Sequence, residues 1–214
     1  MRRTMAKASF LTATNLLFFA IIGTALLALT YQLTHEIIAK SEEQEKLKLI
    51  AQILPSGSYD NDIMKDTLRL QDDPLLGNHG ETTLYRGRLA GKPSIVVLQA
   101  IAPDGYSGQI HLILAVQQDG RLGGVRVVSH KETPGLGDYI EAAKSRWIDI
   151  FTELSLANPA DAGWKVKKDG GTFEHVAGAT VTPRAVIKAV HKALLYVQTH
   201  QDKLFSPPPR ENAQ

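Results

Sequence analysis

LYRGRLAGKPSIVVLQAIAPDGYSGQIHLILAVQQDGRLGGVRVVSH, residues 84–130, decides the fold. Apolar, β-branched runs are cut here by turn residues at short intervals. Residues 84–88 precede the turn Gly91-Lys92-Pro93, residues 94–100 carry the run SIVVLQA, residues 108–117 read GQIHLILAVQ, and the Asp119-Gly120 turn leads into 122–130. Strand-length segments at hairpin spacing predict three or four antiparallel strands. Working outward, 138–151 reads as an amphipathic helix, because Ile140, Ala143, Trp147 and Ile150 share a helical face. A short strand is expected at 164–167, before the Asp169-Gly170-Gly171 turn, and a helix from Pro183 to about Gln198. Strands in a block, with helices before and after, predict an α+β domain: an antiparallel sheet with flanking helices.

Upstream, 58–80 is rich in Asp, Asn, Pro and Gly and reads as loop. Residues 36–54, EIIAKSEEQEKLKLIAQIL, read as a charged helix stopped by Pro55 and Gly57. Leu47, Ile50, Ala51 and Leu54 recur at i, i+3, i+4 and i+7, so one face docks on its own domain or on a partner, the former being the simpler reading.

Residues 8–35 contain no Asp, Glu, Lys or Arg, and LLFFAIIGTALLAL (16–29) is almost wholly apolar. A helix over 10–33 would reach roughly 36 Å at about 1.5 Å per residue, enough to cross a bilayer core. A cleaved signal peptide is the competing reading, but its apolar region runs to roughly 7–15 residues and ends in a small-x-small site. Here the run is longer and continues into Tyr31, Gln32 and Leu33. The segment therefore reads as an uncleaved transmembrane signal anchor in contact with membrane lipid. Arg2, Arg3 and Lys7 precede it and Glu36, Glu42 and Glu43 follow, so the positive-inside rule keeps the N-terminus cytoplasmic and exports the remainder. In a bacterium this is a single-pass inner-membrane protein with a periplasmic C-terminal domain. The expected organisation is a cytoplasmic 1–9, an anchor 10–33, a connecting helix 34–57, a domain 58–202 and a disordered tail 203–214 that includes Pro207, Pro208 and Pro209.

Composition excludes several classes. With 214 residues, 43% apolar and 21% charged, the chain has material for one sizeable core. A net charge of +2 without a dense basic patch argues against nucleic-acid binding. Zero cysteines exclude disulfides, thiolate catalysis and Cys-ligated metal clusters, so redox chemistry would need a borrowed cofactor. The seven histidines form no HExxH-like ligand pair, and Gly105-Tyr106-Ser107-Gly108 does not complete a G-x-S-x-G elbow because Gln109 follows. No metal and no catalytic acid, base or nucleophile is expected.

Three loops remain as candidate binding elements. HVAGATVTP (175–183) enters a helix, with Thr182 as expected N-cap and Pro183 as first helical residue, and with Gly178 and Ala179 leaving room for close approach. A helix start of this kind either binds an anion, most often phosphate, or is simply well capped. SHKETPGLGD (129–138) leaves a strand for a helix with two glycines and a proline, the third loop is DGYSG (104–108), and ordinary connections fit both equally.

Together APDGYSGQI (102–110), HKETPGLGD (130–138), WKVKKDGG (164–171) and AGATVTPRAV (177–186) resemble the RnfG family of Rnf ion-translocating electron-transport complexes, over nearly the whole chain and in the family's order. The resemblance implies an FMN-binding domain of the kind shared with the sodium-pumping NADH:quinone oxidoreductase. It implies FMN held covalently, through a phosphoester to the last Thr of an (S/T)GAT motif, here Thr180. Ala177 stands where the family usually has Ser or Thr, and Glu174 where an Asp is common; neither removes the acceptor hydroxyl. The expected site then comprises Thr180 with Gly178, Ala179, Val181 and Thr182, the ring-facing loop residues His130, Glu132, Thr133, Leu136 and Gly137, and Tyr106 with Ser107. The implied function is that of a redox component of a translocase, not a standalone catalyst. It would relay electrons in a complex that couples flow between NADH and ferredoxin to ion movement. Its partners would be the other membrane and peripheral components of the Rnf complex, plus a flavin transferase for maturation. The alternative is a cofactor-free, membrane-anchored scaffold.

Overall fold

The structure is a computed structural model that describes residues 2–206, and the chain divides into two compact units, Met1–Leu47 and Lys48–Gln214. Helix α1, Arg2–Ile53, begins in the first unit and ends in the second. Within it Ser9–Ile38 is long and apolar enough to cross a membrane. Its large side chains are exposed, Phe10 to 75% and Leu27 to 72%.

The second unit is built on a five-stranded antiparallel meander in the order β1 (Thr67–Leu70), β2 (Thr82–Leu89), β3 (Lys92–Ala102), β4 (Ile110–Gln117) and β5 (Leu122–Ser129). The α+β expectation holds, with five strands in place of three or four. Strand β1 lies inside the segment read as loop: only four residues long, it has a single fully buried side chain, Leu70. Helix α2, Val181–Thr199, covers one face of the sheet, where Val186, Ile187, Val190 and Leu194 pack with Leu84, Leu98, Leu112 and Leu114. A smaller core on the opposite face joins Ile50 and Ile53 to Ile63, Tyr85, Ile95, Val97 and Ile113. Burial on both faces explains why residues 95–98 are continuously apolar and do not alternate. The end of α1 thus docks on its own domain: Ile50 and Leu54 of the expected face pack there together with Ile53, while Ala51 is exposed. Gly123 and Gly124 permit this, since a Cβ at Gly123 would stand 2.9 Å from Pro55 and one at Gly124 3.1 Å from Ile53.

Two elements differ from expectation. Residues 138–151 form no α-helix but two 3-10 turns, Asp138–Ile140 and Trp147–Phe151. The Ser145 hydroxyl donates to the Tyr139 carbonyl (2.7 Å) and accepts the Trp147 amide (3.0 Å), taking backbone groups that a helix would have paired. Ile140, Ile148 and Phe151 are buried and Ala143 is exposed, so the apparent helical face is not the packed one. The strand expected at 164–167 shrinks to a single bridge between Val166 and Phe173, closed by Lys167–Asp169 and the left-handed Gly170. A short helix α3, Gln201–Leu204, brings Leu204 and Phe205 into the core. Residues 207–214 of the expected tail lie outside the described residues.

Candidate functional site

Helix α2 begins two residues earlier than the Thr-Pro signal suggests. Its N-cap is Thr180, whose hydroxyl makes no capping hydrogen bond; Thr182 and Pro183 lie inside the first turn. Pro183 has no N–H, so the free amides at the helix start are those of Val181 and Thr182. Neither donates to a protein acceptor among the described residues. Gly178 just before it has a φ of +87°, a left-handed conformation that side-chain-bearing residues rarely adopt, and a Cβ there would point into open space.

Beside this helix start lies a cleft of about 260 Å³, lined by Tyr106, Glu132, Thr133, Leu136, Gly137, Gly178, Ala179, Val181 and Thr182. The fold thus joins the three loops, although 50 residues separate Glu132 from Thr182. A volume somewhat below the roughly 300–1,000 Å³ of ligand-engulfing pockets suits a flat ring held at the surface. Tyr106 (70% exposed), Leu136 (48%) and Val181 (41%) supply an apolar rim that water covers poorly. Gly137 is required for close packing: a Cβ would stand 2.9 Å from both the Glu132 carboxylate and the Thr182 hydroxyl.

Hydrogen bonds hold the loops in register. Buried Glu132 accepts the Ser107 amide on Oε1 at 2.9 Å and the Thr182 hydroxyl on Oε2. Asp138 Oδ1 accepts the Gly135 amide at 2.8 Å, closing the 130–138 loop on itself. The Trp147 indole donates to the Glu174 carbonyl at 2.9 Å, and Lys167 pairs with the Glu174 carboxylate. Arg184 clamps Asp169 through two bonds of 2.5 and 2.6 Å, and its hydrogen bonding holds the Asp169 carboxyl below the ordinary range. Lys188 pairs with Asp104 and so ties the 103–109 loop to α2.

Three of the expected residues, His130, Ser107 and Thr180, are not among those lining the cleft. His130 turns away: its Nε2 bonds Glu141 at 2.7 Å, its Nδ1 accepts the Glu132 amide at 2.9 Å, and it lines a separate groove with Leu49, Gln52 and Arg126. Ser107 contributes its amide to Glu132, not its side chain to the cleft. Thr180 stands between the lining residues Ala179 and Val181. Sequence reading missed Glu141 as the partner of His130, and Asp104, Asp169, Arg184 and Lys188 as loop ties. Their charges were visible, but the partners lie 11 to 84 residues apart and no local spacing connects them.

Comparison with known proteins gives the family. Residues 105–195 match the FMN-binding domain family, and residues 1–53 match the RnfG N-terminal region. The chain is 50% identical over 206 residues to the G component of the ion-translocating oxidoreductase complex of Pseudomonas aeruginosa, covering 96% of this chain and 94% of the relative. It is 42% identical to the component of that name from Aliivibrio fischeri over 97% of both chains. For the Vibrio cholerae relative the identity is 41%, over 89% of this chain and 90% of the relative.

Proposed function

The chain belongs to the RnfG family of ion-translocating oxidoreductase complexes, as a membrane protein with an FMN-binding domain, and from that premise we propose that it carries FMN covalently on Thr180 and relays electrons within such a complex. The observation that carries the site is Thr180 itself: an N-cap hydroxyl uncommitted to capping, flanked by two residues of the cleft that all three loops wall.

The residues fit the group. A phosphoester on Thr180 would set its remaining charge against the free amides of Val181 and Thr182, where the helix dipole favours an anion. The ring would enter the cleft, with Leu136, Val181 and Tyr106 as apolar contacts and Gly137 and Gly178 allowing close approach. When bound, FMN supplies the one-electron chemistry. The chain's own work is to hold the ring at the surface, shield one side of it and fix its distance to neighbours. Covalent attachment suits an exported domain, where a dissociated cofactor would be lost.

In this reading α1 anchors the protein in the bacterial inner membrane with its N-terminus cytoplasmic and the domain periplasmic. Other membrane and peripheral components of the complex exchange electrons with it, along a route between NADH and ferredoxin that drives ion translocation. A flavin transferase completes maturation.

Intact-mass analysis of the denatured protein, coexpressed with the transferase, tests the site. The expected gain is one FMN less one water, mapped to the peptide containing Thr180 and absent from Thr180→Ala. Retention of covalent flavin by Thr180→Ala would refute the assignment. An unmodified wild-type protein beside a flavinylated control substrate would favour the cofactor-free scaffold.

A further inference from the structure

The cleft wall contains one buried carboxylate. Glu132 is only 4% exposed, and its two oxygens accept from neutral donors, the Ser107 amide and the Thr182 hydroxyl. Among the described residues no Lys or Arg forms an ion pair with it. Elsewhere in the domain an enclosed carboxylate has a cation: half-buried Asp66 has the buried Arg86 and Arg88, and buried Asp138 has Lys144 at 3.3 Å. Enclosing a charge without a counter-charge is costly.

The two hydrogen bonds do not themselves require the charge. A glutamine in this position could accept the Ser107 amide with its oxygen and donate to the Thr182 hydroxyl with its NH2 group, because a hydroxyl both donates and accepts. What a carboxylate adds is a fixed negative potential at the cleft. Thr182 places it against the positive end of α2, a partial charge of about half a unit. Burial shields the carboxylate from salt and water, so its field reaches into the cleft with little screening.

We propose that Glu132 is a positioning and tuning residue. Its carboxylate draws the 103–109 loop and the start of α2 together, and its charge holds down the reduction potential of a flavin seated in the cleft. Electrons arriving at the ring meet a like charge in the wall, so the oxidised form is favoured relative to a neutral wall. The inference rests on the reading above that FMN occupies this cleft.

The test is spectroelectrochemical titration of the flavin-loaded, full-length protein at fixed pH and ionic strength, comparing wild type with Glu132→Gln, Glu132→Asp and Thr182→Val. The expected result is a higher midpoint potential for Glu132→Gln, read on the flavin-loaded fraction of each protein. Glu132→Asp, which keeps the charge, should stay nearer to wild type than Glu132→Gln. Thr182→Val, which removes one bond and leaves the charge, should not raise the potential. An unchanged potential in loaded Glu132→Gln overturns the inference, as does an equal rise in Thr182→Val, which would mark a purely structural role. A wild-type protein without flavin would instead defeat the reading of the cleft itself.

Discussion

Asp66 and Glu132 both place a carboxylate inside the folded domain, and their neighbours could hardly differ more. Asp66 sits between two arginines, accepting from Arg86 Nε at 2.6 Å and Arg88 Nε at 2.5 Å. The same arginines reach Ser206, Arg86 to its hydroxyl at 3.3 Å and Arg88 to its carbonyl at 3.0 Å, fastening the C-terminal segment to β2. Among the described residues Arg88 Nη1 is buried without a hydrogen-bond partner, and two guanidinium groups share one carboxylate. Among the described residues Glu132 has no arginine partner, and it lines the cleft. The difference separates a carboxylate that the fold needs as a counter-charge from one whose hydrogen bonds a neutral group could make.

The largest effect should come from Asp66→Ala. It leaves two buried guanidinium groups facing each other, and breaking a buried pair in this way costs about 3–5 kcal/mol. Urea unfolding measures this, and a loss below about 1 kcal/mol would mean that water already solvates the arginines. Gly137→Ala should come next, costing about 1–3 kcal/mol through overpacking. Its Cβ would strike the Glu132–Thr182 bond directly, so covalent flavin loading should fall along with the thermal midpoint.

A smaller effect tests a group whose charge depends on pH. His191 stacks on Trp164, with ring centroids 5.1 Å apart, and lies 3.2 Å from Asp161. Burial lowers its pKa below the ordinary value, with Asp161 offsetting only part of the shift. The folded state therefore prefers the neutral ring. Its contribution is complete above about pH 6.5 and is lost as the pH falls below that value. The thermal midpoint should decline from pH 7 to pH 5, and His191→Gln should flatten that slope. The smallest change is expected for Glu132→Gln, within about 1 kcal/mol of wild type or slightly stabilising, because the amide keeps both bonds and removes an uncompensated charge. A loss as large as that of Asp66→Ala would erase the distinction between the two carboxylates.

Much of this domain was readable before its structure. The runs at 94–100, 108–117 and 122–130 became β3, β4 and β5 within a few residues, because long β-branched segments bounded by Gly and Asp turns have few other ways to pack. The element at 138–151 was not readable: its spacing imitates a helix, and only the commitment of Ser145 to the backbone shows otherwise. The start of α2 was misplaced by two residues because Thr182-Pro183 is a strong local start signal, yet the Thr182 hydroxyl is drawn to Glu132. His130 lies in the expected loop, but its ring bonds Glu141, a partner that no local spacing reveals.

By itself the sequence determined the apolar N-terminal helix, the antiparallel sheet and the three loops that carry the family motif. These follow from periodicity, turn chemistry and residue type, which act over a few neighbours along the chain. Tertiary structure alone decided which residues of those loops meet, that Thr180 caps α2 with its hydroxyl uncommitted, and that Glu132 is enclosed without a cation while Asp66 is enclosed with two. Burial and ion pairing join residues far apart in the chain, and their energies depend on which solvent-excluding surface each charge finally meets.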